Sequence, residues 1–508
     1  MKILVEKITA FFKGNAEVHS LSFIYLLLIF ITFQHAWVPG MFMDGATYAA
    51  IGKNAMEMGR WLVPYYNAEA YPRFAEHPPF YFMYLGGIFK IFGVSWTTAR
   101  LAVLFLNLIT VTTLWYTLKG LINRRYAFLT LLILCLSYPF IRKCRYPLLE
   151  TPLLLFSTLC FLSYYKAFLW NKGKDYFLAG LFWGCALLMK GHAAFFIPAG
   201  IGLHLLLTQN FKKFLSFRLW AALFLGFAIF ALWPLALHLS GNIDIFHSWF
   251  TRQFTGTVVE SRGKTQLDFF LYFKIIATQT LPWFALSLWG SFKLFKTEKR
   301  EHIGFLFIAW FWALLLPYSL LKWKYSHYIH PAYVPMAALA AYAFLTFKES
   351  VSLYFSKTIK ILAIIAVLVY ACLPIGIKAE RDKELLEAVE LTKYLKTEPN
   401  AWGDIEEAYE FWSFLPPLKF STHAEVYRLT LADVENFLQG QTLRSKEEAW
   451  SFYITEENAK KLEQKYPEVF KEKLSVLVKI SKFNTLVLVE KKLLSEEAQF
   501  GVISHAKK

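Results

Sequence analysis

Apolar runs long enough to cross a bilayer recur along the first three-quarters of the chain and stop near residue 377. A spanning helix needs about 20 apolar residues. Candidates lie near 20–37, 98–119, 126–140, 148–168, 176–189, 192–208, 218–240, 266–290, 303–321, 329–347 and 359–377. The pattern predicts about eleven spans, give or take two, because runs as short as 126–140 and 176–189 could equally be re-entrant. Beyond 377 the spacing becomes that of a small water-soluble fold. Residues 380–396 have helical spacing, Thr430–Leu438 reads as a capped helix, SFYIT at 451–455 as a strand, and Glu457–Phe470 as a helix. LSVLVKI at 474–480 and TLVLVE at 485–490 then read as a closing strand pair. The expected organisation is a membrane domain over 1–377, with a long loop at 38–97, and a mixed α/β accessory domain over 378–508.

The polar residues between the runs set an orientation. Lys2, Lys7 and Lys13 precede the first run; Lys119, Arg124 and Arg125 follow the second; Lys166, Lys172 and Lys174 follow the fourth. Lys212, Lys213 and Arg218, then Lys293, Lys296, Lys299 and Arg300, then Lys348 and Lys357 continue the alternation. Placing these loops in the cytoplasm satisfies the positive-inside rule at each one. An odd number of spans then puts 378–508 on the outer face.

Charge sharpens this picture. The 508 residues carry a net charge of +17 and a mean hydropathy of +0.38. Residues 378–508 hold 20 Lys and Arg against 23 Asp and Glu, leaving 34 against 14 in 1–377. The positive excess therefore belongs to the apolar part, which excludes a basic soluble protein that binds nucleic acid. The five cysteines show no metal or disulfide spacing and read as buried thiols. The N-terminus is basic and then apolar from Leu21 without a small-residue cleavage site, and reads as a retained span.

Several basic residues break the rule. Arg142, Lys143, Arg145, Lys190, Arg252, Arg262, Lys264, Lys322 and Lys324 all fall on the expected outer side. Any one of them is explained by snorkelling to headgroups. Together they suit a phosphate-bearing lipid held at the outer face.

The loop at 38–97 concentrates scarce carboxylates. Tyr48, Ile51, Ala55 and Met58 follow Asp44 at the spacing of an amphipathic helix lying on the membrane surface. Asp44 at its start is either a helix cap or a base that takes a proton from an acceptor attacking a sugar's anomeric carbon. Glu76 precedes His77-Pro78-Pro79 and a further aromatic stretch.

The segment from Met43 to Gly93, with DGATYAAIGKNAMEMGRWLVPYYN, FAEHPPFYFMYLGGIFKIFG and then TTARL, resembles the first periplasmic loop of the family 39/83 membrane glycosyltransferases. These are the protein-O-mannosyltransferase-like and aminoarabinose-transferase-like enzymes of the GT-C fold. RYPLLETPLLLFSTL at 145–159, ALLMKGHAAFFIPAG at 186–200, LPWFALSLWG at 281–290 and KYSHYIHPAYVPMAALAAYA at 324–343 are similar to further family segments, in order. The resemblance covers most of 20–345. It implies an α-helical polytopic membrane protein of about 11–13 spans and inverting transfer from a polyprenyl-phosphate sugar to an envelope glycolipid of the lipid A type, or to a protein. The partners it implies are that donor, the acceptor and membrane lipids, for a chain we expect to be monomeric.

Residue by residue, the resemblance makes Asp44 the base and Glu76 the acid of the family's F-E-K-P stretch, although His77 stands where lysine is usual. Gly45 replaces the second acid that many members carry, which weakens any two-carboxylate metal chelate. The implied donor-phosphate ligands are Lys190, Lys324, Tyr328, Arg262 and Lys264. Glu150, Arg145 and His327 stand at acceptor or supporting positions, with Glu150 either acting there or holding Arg145 by an ion pair. A divalent ion on Glu76 and His77, with His247 as a further ligand, lacks motif spacing. The competing reading is a transporter or lipid flippase of the same hydropathy, although no internal repeat is visible.

Overall fold

The computed structural model describes residues 16–34, 36–41, 43–69, 71–255, 268–322, 324–347, 361, 364–365, 368, 395, 397, 399–406, 416–443, 449–480 and 485–494. The basic N-terminus and the loop with Arg262 and Lys264 lie outside them, as do almost all of the expected span at 359–377 and helix at 380–396. By chain contacts the protein divides into two compact units. One comprises Met1–Ala36, Ala75–Tyr81 and Arg100–Gly376; the other comprises Trp37–Phe74, Phe82–Ala99 and Ile377–Lys508.

The helices are α1 (Ala16–Phe33), α2 (Met43–Glu57), α3 (Phe80–Phe92), α4 (Trp96–Leu121), α5 (Arg124–Leu136), α6 (Tyr138–Lys143), α7 (Glu150–Trp170), α8 (Gly173–Lys190), α9 (Phe196–Leu207) and α10 (Phe217–Leu239). There follow α11 (Ile243–Trp249), α12 (Leu271–Thr280), α13 (Trp283–Thr297), α14 (Ile303–Leu320), α15 (Tyr333–Leu345), α16 (Pro416–Ser421), α17 (Leu431–Leu438), α18 (Glu456–Lys465) and α19 (Pro467–Lys473).

Among the described residues, five stretches are long and apolar enough to cross a membrane: Trp96–Leu121, Glu150–Trp170, Gly173–Leu207, Phe217–Leu239 and Ile303–Leu320. Of the other expected spans within the described residues, two are broken for local reasons. The run at 126–140 divides at Ser137, whose extended backbone ends α5 and starts α6, with Pro139 in the first turn of α6 where its missing N–H costs nothing. The run at 266–290 divides at Leu281-Pro282 between α12 and α13, because proline cannot continue the hydrogen-bond ladder. The two runs at 176–189 and 192–208 are α8 and α9, joined through a 3-10 turn at Gly191–Phe195. Gly191 ends α8 with φ of +59°, a conformation that a side chain would strain.

In the membrane unit α8 lies between α7 and α10, α9 packs on α14, and α15 packs on both α5 and α13. The last of these contacts depends on small residues. Ala337, Ala338, Ala340, Ala341 and Ala343 of α15 are all buried. A Cβ built on Gly290 of α13 would run into the Leu339 carbonyl, so the two backbones meet without side chains between them. Cys135, Cys144 and Cys160 are buried thiols, as expected.

The second unit is built on a five-stranded mixed sheet, β2-β1-β3-β5-β4, of β1 (Ala401–Ile405), β2 (Glu425–Leu429), β3 (Trp450–Thr455), β4 (Leu474–Ile480) and β5 (Thr485–Glu490). β1 runs parallel to β2 and β3, whereas β5 is antiparallel to β3 and β4. The strand at 451–455, the closing pair and the cap at Thr430 appear as the spacing predicts; Thr430 and Asp433 form a capping box. The helix expected over Glu457–Phe470 is interrupted at Tyr466-Pro467. The parallel strands β1 and β2 were not foreseen, because AWGDI at β1 is buried throughout and shows no alternation.

The first loop belongs to this unit, and α2 differs from the helix its apolar spacing suggests. Ala46, Thr47, Ala49, Ala50, Ile51, Lys53, Asn54 and Ala55 are all buried, so burial extends around the helix rather than along one stripe. Glycines permit it: Cβ atoms would meet Leu85 at 2.7 Å from Gly52 and the Gly52 carbonyl at 2.8 Å from Gly86, so α2 and α3 cross at close range.

Gly290→Ala should destabilise the protein by about 1–3 kcal/mol, since the added methyl meets backbone rather than a movable side chain. Gly120→Ala, with open space around its Cβ, should leave the melting temperature in detergent close to wild type.

Candidate functional site

α7 and α8 form an antiparallel hairpin turned by Asn171 and Lys172, so the first residue of α7 and the last of α8 stand at the same end. Those residues are Glu150 and Lys190, and their side chains form a buried ion pair. Each charge also suits its own helix, a carboxylate at an N-terminus and an ammonium at a C-terminus. The expected pairing of Glu150 with Arg145 does not occur. Arg145 instead donates to the carbonyls of Ile31 (2.9 Å) and Gln34, and Arg100 donates to the Ala36 carbonyl. Two buried guanidinium groups thus satisfy the orphan carbonyls after α1.

The loop ahead of α15 completes the cluster. His327 Nε2 lies 3.6 Å from Glu150 Oε1. The Lys190 ammonium sits over the Tyr328 ring, 4.8 Å from its centre, a cation–π contact. His327 is stacked on Tyr325 and set edge-on to Tyr328. Burial pushes the His327 imidazole down to about 3, with Glu150 opposing and Lys190, Lys143 and His330 reinforcing the shift. It is therefore neutral at physiological pH, and Glu150 faces lysine charge alone. His330 was missed as a site residue, and Lys143 was singled out only as one of the basic residues on the expected outer side. The signal for His330 was its spacing, three residues after His327 in a segment that forms tight turns. It is fully buried and stacked flat on Phe140.

The other candidates lie elsewhere. Lys324 is buried, and burial lowers its ammonium from the usual lysine range while Asp268 opposes. Asp44 stands in the first turn of α2, half-buried, in the second unit. Glu76 and His77 are half-buried in the loop before α3. Arg262 and Lys264 lie outside the described residues. Among the described residues no group of three or more His, Cys, Asp and Glu side chains could hold a metal ion. Glu76, His77 and the exposed His247 therefore do not make a donor set, and the residues present do not fit the expected divalent ion.

Breaking the buried pair from one side should be severe. Glu150→Gln or Lys190→Met should cost roughly 3–5 kcal/mol, whereas Glu150→Leu with Lys190→Met should recover much of the loss, read as melting temperatures in detergent. His327 provides a pH signature. Its folded proton affinity is depressed, so its contribution to stability is present above the unfolded value near 6.5 and is lost as pH falls toward 3. His327→Gln should flatten that part of the acid-induced fall in melting temperature.

Comparison with known proteins places this arrangement. Residues 76–234 match the family described as dolichyl-phosphate-mannose-protein mannosyltransferase. An uncharacterised protein of Aquifex aeolicus is 31% identical over 357 residues, covering 69% of this chain and 68% of that one. The undecaprenyl phosphate-alpha-4-amino-4-deoxy-L-arabinose arabinosyl transferase of Shewanella sediminis is 25% identical over 333 residues, 64% of this chain. The match spans 59% of that relative's length. The crystal structure of ArnT from Cupriavidus metallidurans bound to undecaprenyl phosphate superposes with a TM-score of 0.74 at 14% identity, covering 95% of this chain and 99% of the other. The Archaeoglobus fulgidus oligosaccharyltransferase shares the fold more distantly, with a TM-score of 0.52 at 13% identity, over 82% of this chain and 65% of that one. With its apolar helices, its mixed C-terminal sheet and these matches, the chain belongs to the GT-C family of membrane glycosyltransferases.

Proposed function

We propose that the protein transfers a sugar from a polyprenyl-phosphate donor to an acceptor on the outer face of the inner membrane, with inversion at the anomeric carbon. The observation that carries this reading is the buried cluster at the ends of α7 and α8, where the Lys190 ammonium is held by Glu150 and by the face of Tyr328. A buried lysine ammonium beside an aromatic ring suits a phosphate, and charge-assisted contacts strengthen as water is excluded. The Shewanella relative and the Cupriavidus structure, named for undecaprenyl phosphate, support a lipid-phosphate donor.

In the reaction an acceptor oxygen attacks the anomeric carbon, and the bond from that carbon to the phosphate oxygen breaks. The phosphate leaves with the electron pair, held by Lys190 and Tyr328, with Lys324, Arg262 and Lys264 as further contacts. Asp44 receives the acceptor's proton, while Glu76 orients the acceptor. Glu150 keeps Lys190 in place when no phosphate is bound. The acceptor is an envelope glycolipid of the lipid A type, or a protein hydroxyl, and residues 378–508 form the accessory domain on the periplasmic side of a monomeric enzyme. The transport alternative is not supported, since the family and fold matches are to transferases.

Purified protein in proteoliposomes should be given undecaprenyl-phosphate-linked 4-amino-4-deoxy-L-arabinose with lipid A and, in parallel, polyprenyl-phosphate mannose with a Ser/Thr peptide. One pair should yield glycosylated acceptor and free polyprenyl phosphate. Asp44→Asn should lower kcat by about 10²–10⁴-fold. Turnover by that variant near the wild-type rate would remove Asp44 from the base role.

A further inference from the structure

Lys53 is nine residues after Asp44 on α2 and is 3% exposed. Its ammonium donates to three backbone carbonyls at the end of α16: Lys419 (3.1 Å), Phe420 (3.2 Å) and Thr422 (2.5 Å). A helix leaves its last carbonyls unsatisfied and carries negative partial charge there, so a buried cation bonded to three of them is both a cap and an anchor. The acceptors are neutral, and the position is costly for lysine. Burial pulls its ammonium down to about 8, with Glu57 and Glu425 opposing and Lys419 reinforcing.

The neighbouring chain strengthens the seat. Lys419 pairs with Glu425 at 2.8 Å, and Glu425 also accepts from the Tyr65 hydroxyl (2.7 Å) and the Ala68 amide (3.3 Å). Asn54, next to Lys53, donates to the carbonyls of Tyr65 and Tyr66. Asn67 donates to the Val426 carbonyl, and the Arg428 amide donates to Glu69. These last contacts cover the outer edge of β2, the edge strand of the sheet, which would otherwise offer unpaired backbone groups.

Helix geometry gives the arrangement a consequence. Nine residues turn about 900°, two and a half turns, so Asp44 and Lys53 are on opposite sides of α2 and about 13 Å apart along its axis. The side of Lys53 is fastened to the C-terminal domain, and the side of Asp44 faces away from that attachment. A tilt of α2 by about 5° about the anchor moves Asp44 by about 1 Å, a displacement that can cost on the order of 100-fold in rate.

We propose that Lys53 is a positioning residue for the transfer reaction: by capping the carbonyls at the end of α16 it fixes α2 on the C-terminal domain and so sets the place of the Asp44 carboxylate. This rests on the reading of Asp44 as the base. It gives the C-terminal domain a part in catalysis without a reacting group of its own.

The test uses the full-length protein in proteoliposomes with the donor and acceptor pair found active above. Lys53→Met keeps the aliphatic stem and removes all three donors. It should lower kcat about 10–100-fold with donor KM within twofold, and Lys53→Arg should restore a large part of the loss. Glu425→Gln, which loosens the seat while leaving Lys53 in place, should give a smaller loss of the same kind and covers the case in which Lys53→Met does not fold. Wild-type kcat in both Lys53→Met and Glu425→Gln, or equal loss in Lys53→Met and Lys53→Arg, would overturn the proposal. If those variants are fully active while Asp44→Asn is inactive, positioning by Lys53 fails and the base survives. If Asp44→Asn is also active, the base reading fails as well.

Discussion

The membrane unit is organised around a charge pair withdrawn from water at one end of a helical hairpin. Neither Glu150 nor Lys190 could be buried alone, because an uncompensated ion in an apolar interior costs several kcal/mol. Their burial therefore fixes how α7 and α8 align, since a shift by one turn would separate the two charges by about 5 Å. The same pair stands beside His327 and Tyr328 at the hairpin end.

A second theme is the use of buried cations on helix carbonyls. Arg100 and Arg145 serve the chain leaving α1, and Lys53 serves the end of α16. In each case a long basic side chain satisfies backbone acceptors that would otherwise be stranded without water. This explains Arg145, one of the basic residues that break the positive-inside pattern, without any lipid phosphate. A basic residue that breaks this pattern has two quite different employments, and composition does not tell them apart. The distinguishing fact is what the far end of the side chain reaches: carbonyls for Arg145, a carboxylate and an aromatic ring for Lys190.

Much of the fold was legible because its signals are local. Apolar runs marked most helices and a capping residue announced α17, whereas 126–140 and 266–290 were each read as one run and the structure divides both. What escaped detection had no local signal. β1 is buried on both faces and so lacks alternation, and α2 is buried around most of its circumference because glycine and alanine let α3 approach closely. For the site, Lys190, Glu150, His327 and Tyr328 were legible as candidates by resemblance, but their grouping was not. Glu150 and Lys190 are 40 positions apart, and only the hairpin makes them neighbours.

The amino-acid sequence by itself determined the environment of this protein: which stretches belong in a bilayer, which part is an ordinary α/β fold, and where positive charge exceeds need. Hydropathy, capping and turn chemistry act within a few residues, so a linear reading reaches them. Only the tertiary structure decided which charges meet. It gave Glu150 to Lys190 rather than Arg145, and it joined the first loop to the end of α16 through Lys53 across more than 360 positions of chain. Such pairings follow from the geometry of packed helices and the cost of leaving a buried polar group unsatisfied, and that cost is settled only when distant segments are already in place.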